Sequence, residues 1–170
     1  MKILACAVFF VACEVALGMA PTGEISGTIL EDHNTGLTLC VMAHINVTYV
    51  GLDGEVRSDT SETGKFGETH VGSAAGTLVH VRSRDTGDPT ACSLPLGTNS
   101  TADHKLPTTE PWVALIKRGN CDFAVKVRHA LRYNASAVLI YNDRESPSLD
   151  KMSIPPDLSE YINSFPRICR

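Results

Sequence analysis

Two apolar runs, Trp112-Val113-Ala114-Leu115-Ile116-Lys117 and Ala137-Val138-Leu139-Ile140-Tyr141, frame a segment whose apolar residues follow a helical period. Neither run alternates with polar residues, a pattern that calls for burial on both sheet faces. Between them Arg118-Gly119-Asn120-Cys121 breaks the first run, and Asp122 to Tyr133 reads as helix. Phe123, Val127, Ala130 and Leu131 fall at i, i+4, i+7 and i+8, one apolar stripe, with Lys126, Arg128 and Arg132 on the remaining surface. Asn120, Cys121 and Asp122 are the candidate caps, and Asp122 suits the positive end of the helix dipole. Arg132 suits the other end, and Asn134 is a residue type that adopts the left-handed conformation closing a helix. Strand, helix and strand in about thirty residues predict a right-handed crossover joining parallel neighbours.

Elsewhere the pattern is weaker. Ile45 to Val50 is rich in β-branched residues and reads as the first convincing strand, followed by an Asp53-Gly54 turn. Gly64 to Gly76 reads as irregular. Thr77 to Arg82 sets Leu78, His80 and Arg82 against Val79 and Val81, a strand with one drier face. Residues 84–111 form a long polar loop containing Pro89, Pro95, Pro107, Pro111 and Cys92. A loop of that length is functional or stapled, and the cysteine favours a staple. Residues 19–43, interrupted by Pro21, Gly23, Gly27 and Gly36, read as a poorly ordered leader. After Asn142 the chain turns polar and reaches Pro155-Pro156. Asp157-Leu158-Ser159-Glu160 then resembles a capping box for a short helix presenting Leu158, Tyr161, Ile162 and Phe165. No strong strand follows Tyr141.

The 170 residues suffice for one domain, and 43% hydrophobic with 20% charged residues is ordinary globular composition. A net charge of −4 argues against sequence-independent nucleic-acid binding. Lys2 followed by the apolar stretch Ile3 to Cys13 is too short for the about 20 residues of a membrane span and fits a signal peptide. Cleavage is placed after Gly18, since the rival Ala20 precedes Pro21. No later run reaches spanning length. The mature chain is therefore predicted to enter an oxidising secretory compartment, secreted or endosomal/luminal. It keeps Cys40, Cys92, Cys121 and Cys169, whose three possible pairings the spacing does not resolve. Sequons at Asn46, Asn99 and Asn134 agree with that route. Asn46 on a strand edge and Asn99 in the polar loop are expected to carry glycans. Asn134 is less open if it packs beneath the strand that follows.

Patterns that carry chemistry are missing. Gly72-Ser73-Ala74-Ala75-Gly76 lacks nucleophile-elbow spacing, and Asp103-His104 has no third ligand nearby. The turn at Gly119 has one glycine where a phosphate cradle uses several. No catalytic residue, metal ligand or cofactor is predicted. Lys117, Arg118, Lys126, Arg128 and Arg132 form a basic cluster that either receives an acidic partner or anionic glycan or is a solvated helix face, the commoner case. Trp112 reads as a core anchor.

Arg118, Gly119, Cys121, Phe123, Lys126, Ala130, Asn134-Ala135 and Tyr141-Asn142 together resemble the signature of the protease-associated (PA) domain, as it occurs in Goliath-type transmembrane RING ubiquitin ligases. Ile45 to Tyr49 and Gly76 to Val81 resemble the first two strands of that domain. The resemblance implies a mixed α/β fold with the crossover packed in a mainly β core, and a Cys92–Cys121 disulfide. It also implies a luminal or extracellular module that recruits protein cargo or substrate and is not itself catalytic. The alternative is a PA fragment of a secreted peptidase or vacuolar sorting receptor. On this reading residues 1–18 are the signal peptide, 19–43 the leader, 44–156 the PA-like domain and 157–170 a divergent tail. The domain is expected to be incomplete at its C-terminus, ending before the membrane span and RING.

Overall fold

Strands β1 (Thr22–Thr28), β2 (Met42–Val50), β3 (Val56–Lys65), β4 (Ala74–Ser83), β5 (Leu96–Thr98), β6 (Trp112–Lys117) and β7 (Ala137–Tyr141) accompany one helix, α1 (Phe123–Leu131). The computed structural model describes residues 22–28, 42–51, 53–65, 74–99, 103–144 and 152. The predicted signal peptide, Cys40, Cys169 and the 157–170 tail with its predicted helix lie outside the described residues.

The strand order is β3-β2-β1-β4-β6-β7, with β5 pairing onto β4 beside this path. The first four strands of that order pair antiparallel. From β4 the pairing becomes parallel, with Thr77 opposite Trp112 and Val113 opposite Ala137. A parallel neighbour cannot be reached by a tight turn, so α1 carries the chain from β6 back to the start of β7. Both apolar runs therefore form strands at their predicted bounds.

Alternation along β4, β6 and β7 divides the core in two. Toward α1 lie Val79, Val81, Trp112, Ala114, Ile116, Val138 and Ile140, packed with Ala124, Val127, Ala130 and Leu131. Burying a side chain such as Val127 or Leu131 stabilises by about 1.5–3 kcal/mol. On the opposite face Val113, Ala137 and Leu139 form a second cluster with Ala74 and with Ala43 and Ile45 of β2. At the β4–β6 seam a Cβ on Gly76 would lie 2.6 Å from the Pro111 carbonyl oxygen, an approach only glycine permits. Trp112 is the anchor expected of it, 1% exposed with Nε1 donating to the Tyr133 carbonyl at 3.2 Å.

The helix ends as its sequence predicts. Asn134 sits at φ 60°, its N–H donates to the Leu131 carbonyl, and Ala135 N–H reaches back to Ala130 at 3.3 Å. That pair of bonds is the Schellman closure, which satisfies two carbonyls the helix would leave open. At the other end Asp122 holds the capping position, but its side chain makes no capping hydrogen bond.

Three strands depart from the sequence reading. Thr22–Thr28, inside the segment read as leader, is a strand paired with β2 on one side and β4 on the other. Its two glycines hide it, because its order comes from backbone ladders to distant segments rather than from a local apolar pattern. Val56–Lys65 is almost wholly polar yet returns from the Asp53-Gly54 turn to pair along β2. Leu96–Thr98 interrupts the long loop with a three-residue strand on β4.

Candidate functional site

After β6 the backbone enters two left-handed residues in succession, Gly119 at φ 108° and Asn120 at φ 63°. Only glycine takes the first without strain, and asparagine is among the few side chains that tolerate the second. The turn presents the Gly119 carbonyl to α1 and delivers Cys121 to the loop before β5. There Cys121 is bonded to Cys92, with S–S 2.01 Å and Cα atoms 5.8 Å apart, the pairing the family resemblance implies.

Lys126 fills the space behind this bridge. Its residue is 0% exposed, and its Nζ donates to the Thr90 carbonyl at 2.6 Å and the Gly119 carbonyl at 2.7 Å. Nζ also lies 3.4 Å from Cys92 Sγ. One ammonium thereby ties α1 to the turn and to the loop. Burial pulls the Lys126 pKa down to about 8, partly opposed by the Asp88 charge. Asp88 accepts hydrogen bonds from Thr90 N at 3.0 Å, Thr90 Oγ1 at 2.5 Å and Asn120 Nδ2 at 3.4 Å. Those bonds, the Thr90 hydroxyl first, hold its carboxyl below the usual range. The loop is fastened further by Ser83 N–H on Asp88 O, Lys117 N–H on Pro89 O, and His129 Nδ1 at 2.9 Å from Ala91 O.

The basic cluster read from the sequence is thus dissolved as a single surface. Lys126 leaves it because the loop, 36 residues earlier in the chain, supplies carbonyls that a helical wheel does not contain. Arg118 turns to the far end of the crossover, Nη1 lying 3.4 Å from Asn142 Oδ1 while its N–H donates to the Tyr141 carbonyl. Of the signature residues, Gly119, Cys121 and Lys126 meet at the knot, with Phe123 and Ala130 packed into the core beside it. Arg118, Tyr141 and Asn142 meet at the β6–β7 end. Asp88 and Thr90 complete the knot without any motif of their own, and the only hint of them in the sequence was a cysteine in the same loop.

Of the sequon asparagines, Asn46 is not on an edge: β2 is paired on both sides, and Asn46 Oδ1 accepts from Ser58 Oγ of β3 at 2.8 Å. Asn99 is exposed, while Ser100 and Thr101 lie outside the described residues. Asn134 is exposed rather than packed beneath β7. His104 Nδ1 bonds the Thr98 carbonyl at 2.8 Å, and Asp103 pairs with Lys105 at 3.6 Å. Among the described residues no group of three or more His, Cys, Asp or Glu is arranged to hold a metal ion, and no helix is long and apolar enough to cross a membrane.

The knot, the crossover and the strands flanking them coincide with a known domain. The family model of the PA domain matches residues 74–164. The chain is 36% identical over 114 residues to RING finger protein 150 of Danio rerio, covering 66% of this chain and 26% of that protein. It is 36% identical over 109 residues to the human E3 ubiquitin-protein ligase RNF149, covering 59% and 25%. With the E3 ubiquitin-protein ligase RNF128 of Xenopus laevis it shares 32% over 117 residues, covering 66% and 27%. The chain therefore spans about a quarter of the length of these curated relatives. No solved structure matches. With the fold, the crossover signature and the family match in agreement, the chain belongs to the PA domain family, in the form found in Goliath-type RING ubiquitin ligases.

Proposed function

We propose that this chain is a luminal or extracellular recruiting module of the secretory pathway, which binds the protein substrates of a ubiquitin ligase and performs no catalysis itself. The observation that carries the reading is the match of the crossover unit to relatives named E3 ubiquitin-protein ligases. The fate of its reactive side chains supports the second half. Lys126 is committed to two carbonyls, Cys92 and Cys121 to each other, and Asp88 to Thr90 and Asn120. The signal peptide and sequons read from the sequence support the compartment, and the transfer chemistry is assigned to a RING outside these residues.

A domain exchange tests this. The chain is placed ahead of the membrane span and RING of a relative, and the ubiquitinated membrane and luminal proteins are identified by mass spectrometry. The set should change when the chain is replaced by an unrelated folded secretory domain. An unchanged set overturns the recruiting role. In a reconstituted ubiquitination reaction the chain alone should transfer no ubiquitin, and turnover there overturns the non-catalytic reading.

A further inference from the structure

On the sheet face turned away from α1, the carboxyl ends of β4, β6 and β7 gather a second polar group. Val79 and Val81 point toward the helix, so Leu78, His80 and Arg82 share the other face. Leu115 and Lys117 share it on β6, Leu139 and Tyr141 on β7, with Lys117 the register partner of Tyr141. His80 stands opposite Leu115, and its Nε2 reaches past β6 to lie 2.9 Å from Tyr141 Oη, the rings 5.6 Å apart. Beside this pair Arg82 is poorly satisfied. Its Nε is buried with no hydrogen-bond partner, and its Nη1 contact with the Gly87 carbonyl is stretched to 3.5 Å.

A buried guanidinium N–H without an acceptor costs stability, and such groups in native folds call for an explanation. Neither Arg82 nor Lys117 forms an ion pair among the described residues. Among the described residues the mouth they form is therefore cationic, with no acidic side chain paired to it. Leu78, Leu115 and Tyr141, apolar side chains only partly covered, share its face. The Arg82 charge is felt across the group: after burial, it is what lowers the His80 pKa, and it opposes the burial that raises Tyr141.

We infer that this mouth is a docking site for an acidic segment of a protein partner, a carboxylate taking the Arg82 fork while an adjacent apolar residue lies on Leu78 and Leu115. Charge complementarity selects the carboxylate, which is the planar two-oxygen acceptor a guanidinium fits. The inference rests on the recruiting role proposed above and specifies the chemistry of what is recruited.

The test uses the full secreted chain, 15N-labelled and with the Cys92–Cys121 bond verified. The probes are acetyl-Leu-Glu-Leu-amide and its neutral counterpart acetyl-Leu-Gln-Leu-amide. The Glu peptide should shift the Arg82 Nε–H and His80 ring signals saturably in the millimolar range, about tenfold more tightly than the Gln peptide. Neutralising Arg82 should also raise the His80 pKa in the bound state. Arg82→Gln should erase the preference and Arg82→Lys, which keeps charge but loses the fork, should weaken it. Arg132→Gln, an exposed cation elsewhere, should leave it intact. Equal affinity for the two peptides, no shift at Arg82, or an Arg82 Nε–H already held by this chain's own acidic residues each overturns the inference. In the domain exchange, a substrate set that depends on this chain but is indifferent to Arg82→Gln defeats the site alone. Peptide binding with an unchanged substrate set defeats the recruiting role instead.

Discussion

Lys126 on α1 and Thr90 in the loop before β5 meet in a 2.6 Å hydrogen bond across a sequence separation of 36. The bond runs alongside the Cys92–Cys121 bridge, so the same two segments are joined once covalently and once through a buried cation. Lys126→Met keeps most of the apolar stem but strips the Thr90 carbonyl of its donor and leaves the Gly119 carbonyl only the Cys121 N–H. Leaving that buried acceptor unmet costs about 1–3 kcal/mol, so a loss of about 2 kcal/mol is expected. Urea unfolding of the disulfide-intact protein measures it. Lys126→Ala should lose more, because it adds a cavity. An unchanged midpoint in both variants would show that the ammonium is dispensable.

The same residue makes stability depend on alkaline pH. In the folded chain Lys126 titrates at about 8 against an ordinary 10.5. Between those values the unfolded chain holds a proton the folded chain has released, so the stability contribution of this group rises with pH across that window. Below it the charge is buried at full cost. A neutral amine still has two N–H donors, enough for both carbonyls. The difference in stability between the wild type and Lys126→Met should therefore grow in favour of the wild type from pH 7 to pH 10. A difference that stays flat or shrinks contradicts the assignment.

How much of this was legible beforehand depends on where each instruction resides in the chain. Trp112–Lys117 and Ala137–Tyr141 were readable to the residue because burial on both faces is written in consecutive side chains. The helix stop was readable because Asn134 is a local signal. The β1 strand was not, since Thr22–Thr28 owes its order to Ile45, Val47 and the start of β4, far away in sequence. The knot was half legible. The family resemblance implied the disulfide, but the burial of Lys126 follows from carbonyls at Thr90 and Gly119, and no periodicity rule records carbonyls.

The disulfide closes a separation of 29 residues, which in the chain-entropy model stabilises by about 3–4 kcal/mol. Cys92→Ser with Cys121→Ser should lower stability by that order. Non-reducing peptide mapping of the secreted wild type should recover the Cys92 and Cys121 peptides linked. A free Cys121 thiol in folded material would remove the bridge from the account.

Asn134 offers a separable pair of outcomes, because its backbone and its side chain do different work. The backbone sits at φ 60°, closing α1 by the Asn134 and Ala135 N–H bonds to Leu131 and Ala130. Asn134→Gly should be neutral or slightly stabilising there, whereas Asn134→Val forces a β-branched residue into the left-handed region and should cost about 1–2 kcal/mol. The side chain is exposed and followed by Ala135-Ser136, so a chain passing through the secretory pathway should carry a glycan at this position. Peptide mass spectrometry after enzymatic deglycosylation reads that directly. Ser136→Ala abolishes the sequon while leaving Asn134 and its φ in place, so it should remove the glycan without the stability loss of Asn134→Val. An unmodified Asn134 in wild-type secreted protein would count against the site. Finding Asn46, Asn99 and Asn134 all unmodified would count against the compartment as well.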